Sequence, residues 1–240
     1  MSRHSKWSKV KQFKGAIDAK RSASFTKLAR EITVAVREGG TDPVFNFKLR
    51  VAMDHARKGS MPKENIERAV QRGAGSGAEG GLENLLYEAY LPGGTALIIE
   101  CLTDNRNRTA NDVKHILSEH GATLAASGAV AYLFERQGVV RMPGGLPADR
   151  RDQIEYALID AGAEEIKNED GAEIVSCNSR DLKRVAEAAE KAGVSFESAE
   201  LEWLPKTSVE TSEEDGKKLE ELLDELEALD DVQRVYTNAA

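Results

Sequence analysis

From Phe25 the apolar residues Phe25, Leu28, Ala29, Ile32, Ala35 and Val36 recur at helical spacing, and Gly39-Gly40 ends the pattern. This spacing predicts an amphipathic helix with one face in a core. Asp42-Pro43 offers a cap and a first-turn proline for a second helix, in which Phe45, Leu49, Ala52, Met53 and Ala56 share a face up to Gly59. Pro62 opens a short third helix carrying Ile66, Ala69 and Val70 and ending at Gly73. Three helices joined by short turns predict a small bundle.

The stretch GAGSGAEGG, residues 73–81, is a flexible linker by composition, and beyond it the period changes. The strand-like runs NLLYEAYL and TALIIECL flank Pro92-Gly93-Gly94, a turn signal, and so predict a hairpin. A helix from about Thr109 to His120 and a strand through AVAYLFER follow. Residues 139–203 then give strand VVRM, helix 149–161, strands AEEIK and AEIVSC, helix 180–192 and strand SFESAELEWL. That order, βαββαβ, is ferredoxin-like.

A strand around TSVET, a helix with Leu219, Leu222, Leu223, Leu226 and Leu229 on one side, and a strand VQRVYT remain. They are too little to fold alone, so they are expected to share a sheet with residues 82–136. The expected fold is therefore α+β: an N-terminal helical bundle plus two ferredoxin-like α/β domains, one inserted in the other. The boundaries are 1–76 for the basic arm and helices, 77–137 with 205–240 for the discontinuous domain, and 138–204 for the insert.

Composition agrees with a folded, multidomain chain: 240 residues, 40% hydrophobic, 31% charged and only 6 prolines. Cys101 and Cys177 lie far apart in apolar runs and read as buried free thiols of a reducing compartment. No apolar run approaches the roughly 18 residues of a membrane span, and residues 1–24 lack the apolar core of a secretory signal. The expectation is a cytoplasmic protein without a membrane partner.

The net charge of -8 conceals a segregation. Residues 1–72 hold 17 Lys and Arg against 7 Asp and Glu, net +10, whereas residues 73–240 hold 16 against 34, net -18. A basic module carried on an acidic body points to a polyanionic partner. In the stretch RHSKWSKVKQFKGAIDAKR, Lys6, Lys9, Lys11, Lys14, Lys20 and Arg21 can neutralise phosphates. Trp7 and Phe13 can stack on unpaired bases. Alternatively, Trp7, Val10, Phe13 and Ile17 form one side of a helix and anchor the arm to its own protein. His4 has no partner at ligand spacing and reads as a polar contact rather than a metal ligand.

Several blocks resemble the YebC/PmpR family. They are His4-Ser5-Lys6-Trp7, Asp18-Ala-Lys20-Arg21, Phe25-Thr26-Lys27-Leu28, Met61-Pro-Lys-Glu-Asn65-Ile-Glu-Arg68-Ala, Tyr90-Leu-Pro92-Gly93-Gly94 and Leu102-Thr-Asp104-Asn105-Arg106-Asn107-Arg108-Thr109. They run in order along most of residues 4–136. The resemblance implies a cytoplasmic protein of three domains, one helical and two α/β, with a cleft between them. Bacterial members are described as probable transcriptional regulators that bind DNA; others, including a mitochondrial translational activator, act on translation at the ribosome, where help with stretches such as polyproline has been proposed. There are two departures from the family's pattern: Arg3 stands where glycine is usual, and the stretch between the Lys20-Arg21 pair and Phe25, where a lysine is usual, has Ala23 and Ser24.

In TDNRNRTANDVKH a strand ends near Leu102 and a helix begins near Thr109, whose spacing to Asp112 resembles a capping box. Arg106 and Arg108 stand just before this helix, so a phosphate could bind there; equally, the arginines could pair with Asp104, Glu100 or acids of a neighbouring domain. In SMPKENIERAVQRG, Lys63, Arg68 and Arg72 could extend the basic surface, while Pro62, Glu64, Ile66 and Val70 explain most of the segment as plain helix architecture.

Catalytic signatures are mostly absent, with no GxxxxGK[ST] loop, no HExxH, no nucleophile elbow and no paired CxxC, although an acid/base pair in a cleft could be assembled from distant residues. The formal GxGxxG at Gly75, Gly77 and Gly80 follows a helix where a dinucleotide site needs a strand, so no nucleotide or other cofactor is expected. The acids from Glu213 to Asp231 lie at spacings of a solvated face. The sequence thus predicts a monomeric, non-enzymatic nucleic-acid-binding regulator. Its expected contact residues are Arg3, His4, Lys6, Trp7, Lys9, Lys11, Lys14, Lys20, Arg21, Lys27, Arg30, Arg106 and Arg108. Its partner is DNA, or ribosomal or other RNA and the ribosome; an adaptor using the acidic domains on protein partners is the reading from another class.

Overall fold

The structure, a computed structural model, describes residues 25–76, 82–169 and 171–240. Helix α1 (Phe25–Gly39) buries Leu28, Ile32, Ala35 and Val36, the stripe that its periodicity marks. Helix α2 (Phe47–Lys58) adds Leu49, Ala52 and Ala56, and α3 (Lys63–Gln71) adds Ile66 and Ala69. With Met61 these side chains form one apolar cluster. Each large aliphatic residue buried there contributes about 1.5–3 kcal/mol, which is what a nine-residue helix such as α3 needs to persist. Helix α3 ends at Gln71, close to the expected stop at Gly73, and the chain leaves it through a turn, Arg72–Ser76, in which Gly75 takes a φ of +90°.

The start of α2 differs from expectation. Asp42 does not cap it; its carboxylate accepts from the Val44 N–H at 2.9 Å, and its carbonyl accepts from Phe45 at 3.2 Å and Asn46 at 2.8 Å. These bonds fold Pro43–Phe45 into a turn ahead of the helix, so Phe45 leaves the core face and stands 82% exposed. The cap is Asn46, whose Oδ1 accepts from the Leu49 N–H at 3.0 Å while its amide donates to the carbonyls of Ala35 and Gly40 at 2.7 and 2.8 Å. A Cβ on Gly39 would lie 2.7 Å from that amide, so only glycine fits beside it.

Beyond the linker the elements run β1 (Glu83–Tyr90), β2 (Ala96–Thr103), α4 (Arg106–Glu119), β3 (Thr123–Ala125), β4 (Phe134–Met142), α5 (Arg151–Asp160), β5 (Ala163–Glu169), β6 (Ala172–Asn178), α6 (Leu182–Lys191), β7 (Ser198–Pro205), α7 (Glu213–Ala228) and β8 (Val232–Thr237). The chain divides into two compact units: residues up to Phe134 with Pro205–Ala240, and Glu135–Leu204. The protein is α+β, a helical region with two four-stranded antiparallel sheets.

In the first unit the sheet order is β3-β1-β2-β8. The pairs Leu85/Cys101, Tyr87/Ile99 and Ala89/Leu97 place their side chains on one face, in a cluster with Val113 and Leu117 of α4 and Leu219, Leu222, Leu223 and Leu226 of α7. Strand β2 is buried along nearly all its length, which accounts for its near-continuous apolar run. Two expected strands are corrected here. TSVET contributes only an isolated bridge between Val209 and Ala239, because its neighbour is the chain's last few residues rather than a full strand. AVAYLFER is a 3-10 turn at Ala131–Leu133 followed by the start of β4, which continues through VVRM as one strand.

The second unit has the order β5-β6-β4-β7 with two helices, the ferredoxin-like arrangement. Gly138/Cys177 and Val140/Val175 are cross-strand pairs whose side chains face one way. A Cβ on Gly138 would sit 2.8 Å from both Cys177 Sγ and Leu182 Cβ, so the missing side chain is what lets α6 seat on the sheet. Arg141 and Glu202 pair on the sheet, donor to acceptor, at 2.6 and 3.1 Å.

Candidate functional site

Among the described residues of the first unit, Asp231, in the turn between α7 and β8, gathers hydrogen bonds from four side chains. Strand β2 ends beside it, since the Leu102 N–H donates to the Asp231 carbonyl at 2.8 Å. Helix α4 starts from the same end of β2, three residues earlier than its sequence suggests, with Asn105 as cap: the Asn105 side chain accepts from the Arg108 N–H at 3.1 Å. Thr109 is thereby moved from the cap into the helix, where its hydroxyl donates to the Asp231 carboxylate at 2.8 Å. The Thr103 hydroxyl donates to the same oxygen at 3.1 Å, and Arg108 does so from Nη2 at 2.7 Å and Nε at 3.2 Å. The other carboxylate oxygen accepts from Arg30 of α1 at 2.7 Å.

The Asp231 side chain is 8% exposed and both of its oxygens accept hydrogen bonds, Oδ1 from Arg30 and Oδ2 from Thr103, Arg108 and Thr109. Burial pushes its carboxyl up, but hydrogen bonds from Arg108 and Thr109 and the charge and hydrogen bond of Arg30 outweigh burial and hold it below the usual carboxylate range. Arg30 also donates to the carbonyls of Asp230 at 2.7 Å and Leu102 at 3.3 Å, and Lys27 donates to the Glu227 carbonyl in the last turn of α7 at 2.6 Å. One face of α1 is thereby pinned to the ends of α7, β2 and β8.

These contacts decide the placement of the expected contact residues. Lys27, Arg30 and Arg108 hold the protein's own carbonyls and carboxylates, Arg108 adding Asp104 at 2.8 Å. The anion at the first turn of α4 is the Asp231 carboxylate, which takes the place foreseen for a phosphate. Arg106 is exposed at the start of α4. Arg3, His4, Lys6, Trp7, Lys9, Lys11, Lys14, Lys20 and Arg21 lie outside the described residues. In α3 the Lys63–Glu67 pair at 3.6 Å and the hydrogen bond from Arg68 to Asn65 occupy two further cations. Sequence reasoning misses Asp231, whose spacing matches the solvated acids of α7; its place just past the helix and one residue before a buried β8 valine is the signal that could have found it.

A second buried carboxylate, Glu88 of β1, accepts from the N–H groups of Gly128, Val130 and Ala131 at 2.6, 2.7 and 2.9 Å. Burial raises its carboxyl, yet the three backbone hydrogen bonds bring it below the ordinary range. Cys101 and Cys177 are buried free thiols that burial pushes up to about 12 and about 11. Among the described residues no group of three or more His, Cys, Asp or Glu could hold a metal, and no helix is long and apolar enough to cross a membrane.

These features define an α+β protein in which a basic helical region is pinned by a buried carboxylate to a sheet domain. Comparison with known proteins supplies its kin. Residues 5–76 match the TACO1/YebC protein N-terminal domain, and residues 82–239 match the TACO1/YebC second and third domain. The chain belongs to the TACO1/YebC family. A relative in Rubrobacter xylanophilus, named a probable transcriptional regulatory protein, is 46% identical over 99% of this chain and 95% of its own length. One from Chlorobaculum tepidum with the same description is 45% identical over 99% and 94%. The crystal structure of a conserved hypothetical protein from Aquifex aeolicus is similar with a TM-score of 0.83 and 42% identity, covering 93% of this chain and 92% of that one.

Proposed function

We propose that the protein is a non-enzymatic regulator of gene expression that binds nucleic acid through its basic N-terminal region, with DNA as the first candidate. The observation that carries this reading is the charge segregation, net +10 over residues 1–72 against net -18 over residues 73–240. Lysines and arginines of residues 3–21 neutralise phosphates and release counterions, which supplies affinity without sequence preference. The acidic remainder repels a polyanion, which confines the footprint to the basic end. Arg30 and Arg108 serve indirectly, by holding that end in place through Asp231. The descriptions of the relatives in Rubrobacter and Chlorobaculum support a transcriptional role.

A second reading, RNA binding in translation, draws on the surface of the helices. On α2 the exposed Arg57 is paired with Asp54 at 2.6 Å and Lys48 with Glu38 at 2.7 Å, leaving little resembling a base-reading array for a major groove. Crosslinking in cells followed by sequencing of the bound nucleic acid tests both. Enrichment of promoter DNA supports transcriptional regulation and enrichment of ribosomal RNA supports the translational reading. Recovery of neither above background contradicts nucleic-acid binding.

A further inference from the structure

The turn between α1 and α2 presents two large apolar side chains to solvent, Val44 at 78% and Phe45 at 82% exposure. Nothing about the turn is loose. Asp42 closes it with three hydrogen bonds, and below it the buried Asn46 ties it to the ends of both helices. Side chains that folding alone required would turn inward, as Leu49 does four residues on. A rigid tip that holds an aromatic ring in water has lost little freedom left to lose on binding, so a partner meeting it gains contact at small entropic cost.

The surroundings of the tip say which partner. Arg37 is exposed in the last turn of α1, and Arg50 lies over the Phe47 ring at 5.3 Å from its centroid. Glu38 is neutralised by Lys48 at 2.7 Å, and the Asp42 carboxylate keeps its charge but is turned onto the Val44 N–H, so the cations beside the tip are Arg37 and Arg50. Two phenylalanines interleaved with cations, on the basic part of an acidic protein, match the requirements of a base on its phosphodiester backbone: a π-face to stack on and positive charge to either side. An apolar pocket on a protein would have no use for the flanking charge.

We propose that Phe45 is a stacking platform for one unpaired base of a bound nucleic acid, with Val44 beside it and Arg37 next to the adjoining phosphate. This rests on the nucleic-acid reading above and names the part of the nucleic acid that the helical region takes. Duplex DNA, whose bases are already stacked, does not use the tip; single-stranded RNA or DNA does.

The test uses the full chain and four 20-nucleotide probes of one sequence: single-stranded RNA, single-stranded DNA and the two corresponding duplexes. Fluorescence anisotropy is read for wild type, Phe45→Ala, Phe45→Leu and Phe45→Trp. Phe45→Ala and Phe45→Leu should weaken binding to at least one single strand about 5- to 100-fold, and Phe45→Trp should keep it. The slope of log affinity against log salt should stay as in wild type, because no phosphate contact is lost, whereas Arg37→Ala should flatten it by about one ion. The exposure of Phe45 makes the fold insensitive to these changes, which thermal melts of each variant check. Single-strand affinity unchanged by Phe45→Ala overturns the platform while leaving the nucleic-acid reading intact, and this is also the result if the tip docks a protein. A loss on Phe45→Ala that Leu restores fully overturns stacking in favour of plain apolar contact. If wild type binds none of the four probes, the functional reading falls and the platform with it.

Discussion

At the scale of single residues, Asp231 ties α1, the end of β2 and the first turn of α4 to one another. Its carboxylate is charged, almost enclosed, and bonded to two arginines and two threonines, so neutralising it leaves Arg30 facing carbonyls alone. Asp231→Asn should cost about 2–4 kcal/mol of stability in chemical denaturation. Asp104→Asn, which breaks the exposed Arg108–Asp104 pair, should cost less than about 1 kcal/mol. The Asp231 carboxyl is depressed in the fold, so its contribution is complete above the value it has in the unfolded chain and drains away as pH falls through the lower folded value. The gap between wild type and Asp231→Asn should therefore be full at neutral pH and close below the ordinary carboxylate range. A gap that persists unchanged into strong acid, or none at neutrality, contradicts this role. None of this was legible beforehand, because a carboxylate's partners at residues 30, 103, 108 and 109 come together only through tertiary structure. The pairing of Arg108 with Asp104, four residues away, was among the alternatives open from sequence.

At the scale of elements, periodicity read well wherever one face of a helix or strand is buried in a core. The stripes of α1 and α7, the hairpin of β1 and β2, and the alternation of helices and strands in residues 139–203 all follow from it. It failed where a single polar side chain redirects the backbone. Asn46 and Asp42 moved the start of α2 past Phe45, and Asn105 moved the start of α4 forward from Thr109 to Arg106. Glu88 did the same in AVAYLFER, where its carboxylate gathers three backbone N–H groups and turns the chain just before β4. Glu88→Gln would set an amide donor against backbone donors in a 3%-exposed site. It should destabilise the protein by about 2–3 kcal/mol, and hydrogen exchange at Gly128, Val130 and Ala131 should accelerate first. Unchanged protection at those three amides would mean that the turn forms without the carboxylate.

At the scale of the whole molecule, the segregation of charge was legible from composition, and family kinship from blocks of residues spread along the first half of the chain. The distribution of work among the cations was not. Some positive residues near the basic end are structural fasteners, Lys27, Arg30 and Arg108 among them, while Arg37 and Arg106 are exposed. In the function proposed above, residues 3–21 supply the phosphate contacts. The most direct measurement of that role is the affinity of wild type and of a chain lacking residues 1–21 for a labelled nucleic acid across a salt series. With six to eight phosphates neutralised, wild type should give a slope of log affinity against log salt of about -4 to -7, shallower for single strands than for duplex. The truncated chain, with an unchanged thermal melt, should lose most of the affinity and most of that slope. A truncated chain that binds as tightly as wild type, with the same salt dependence, would contradict the account.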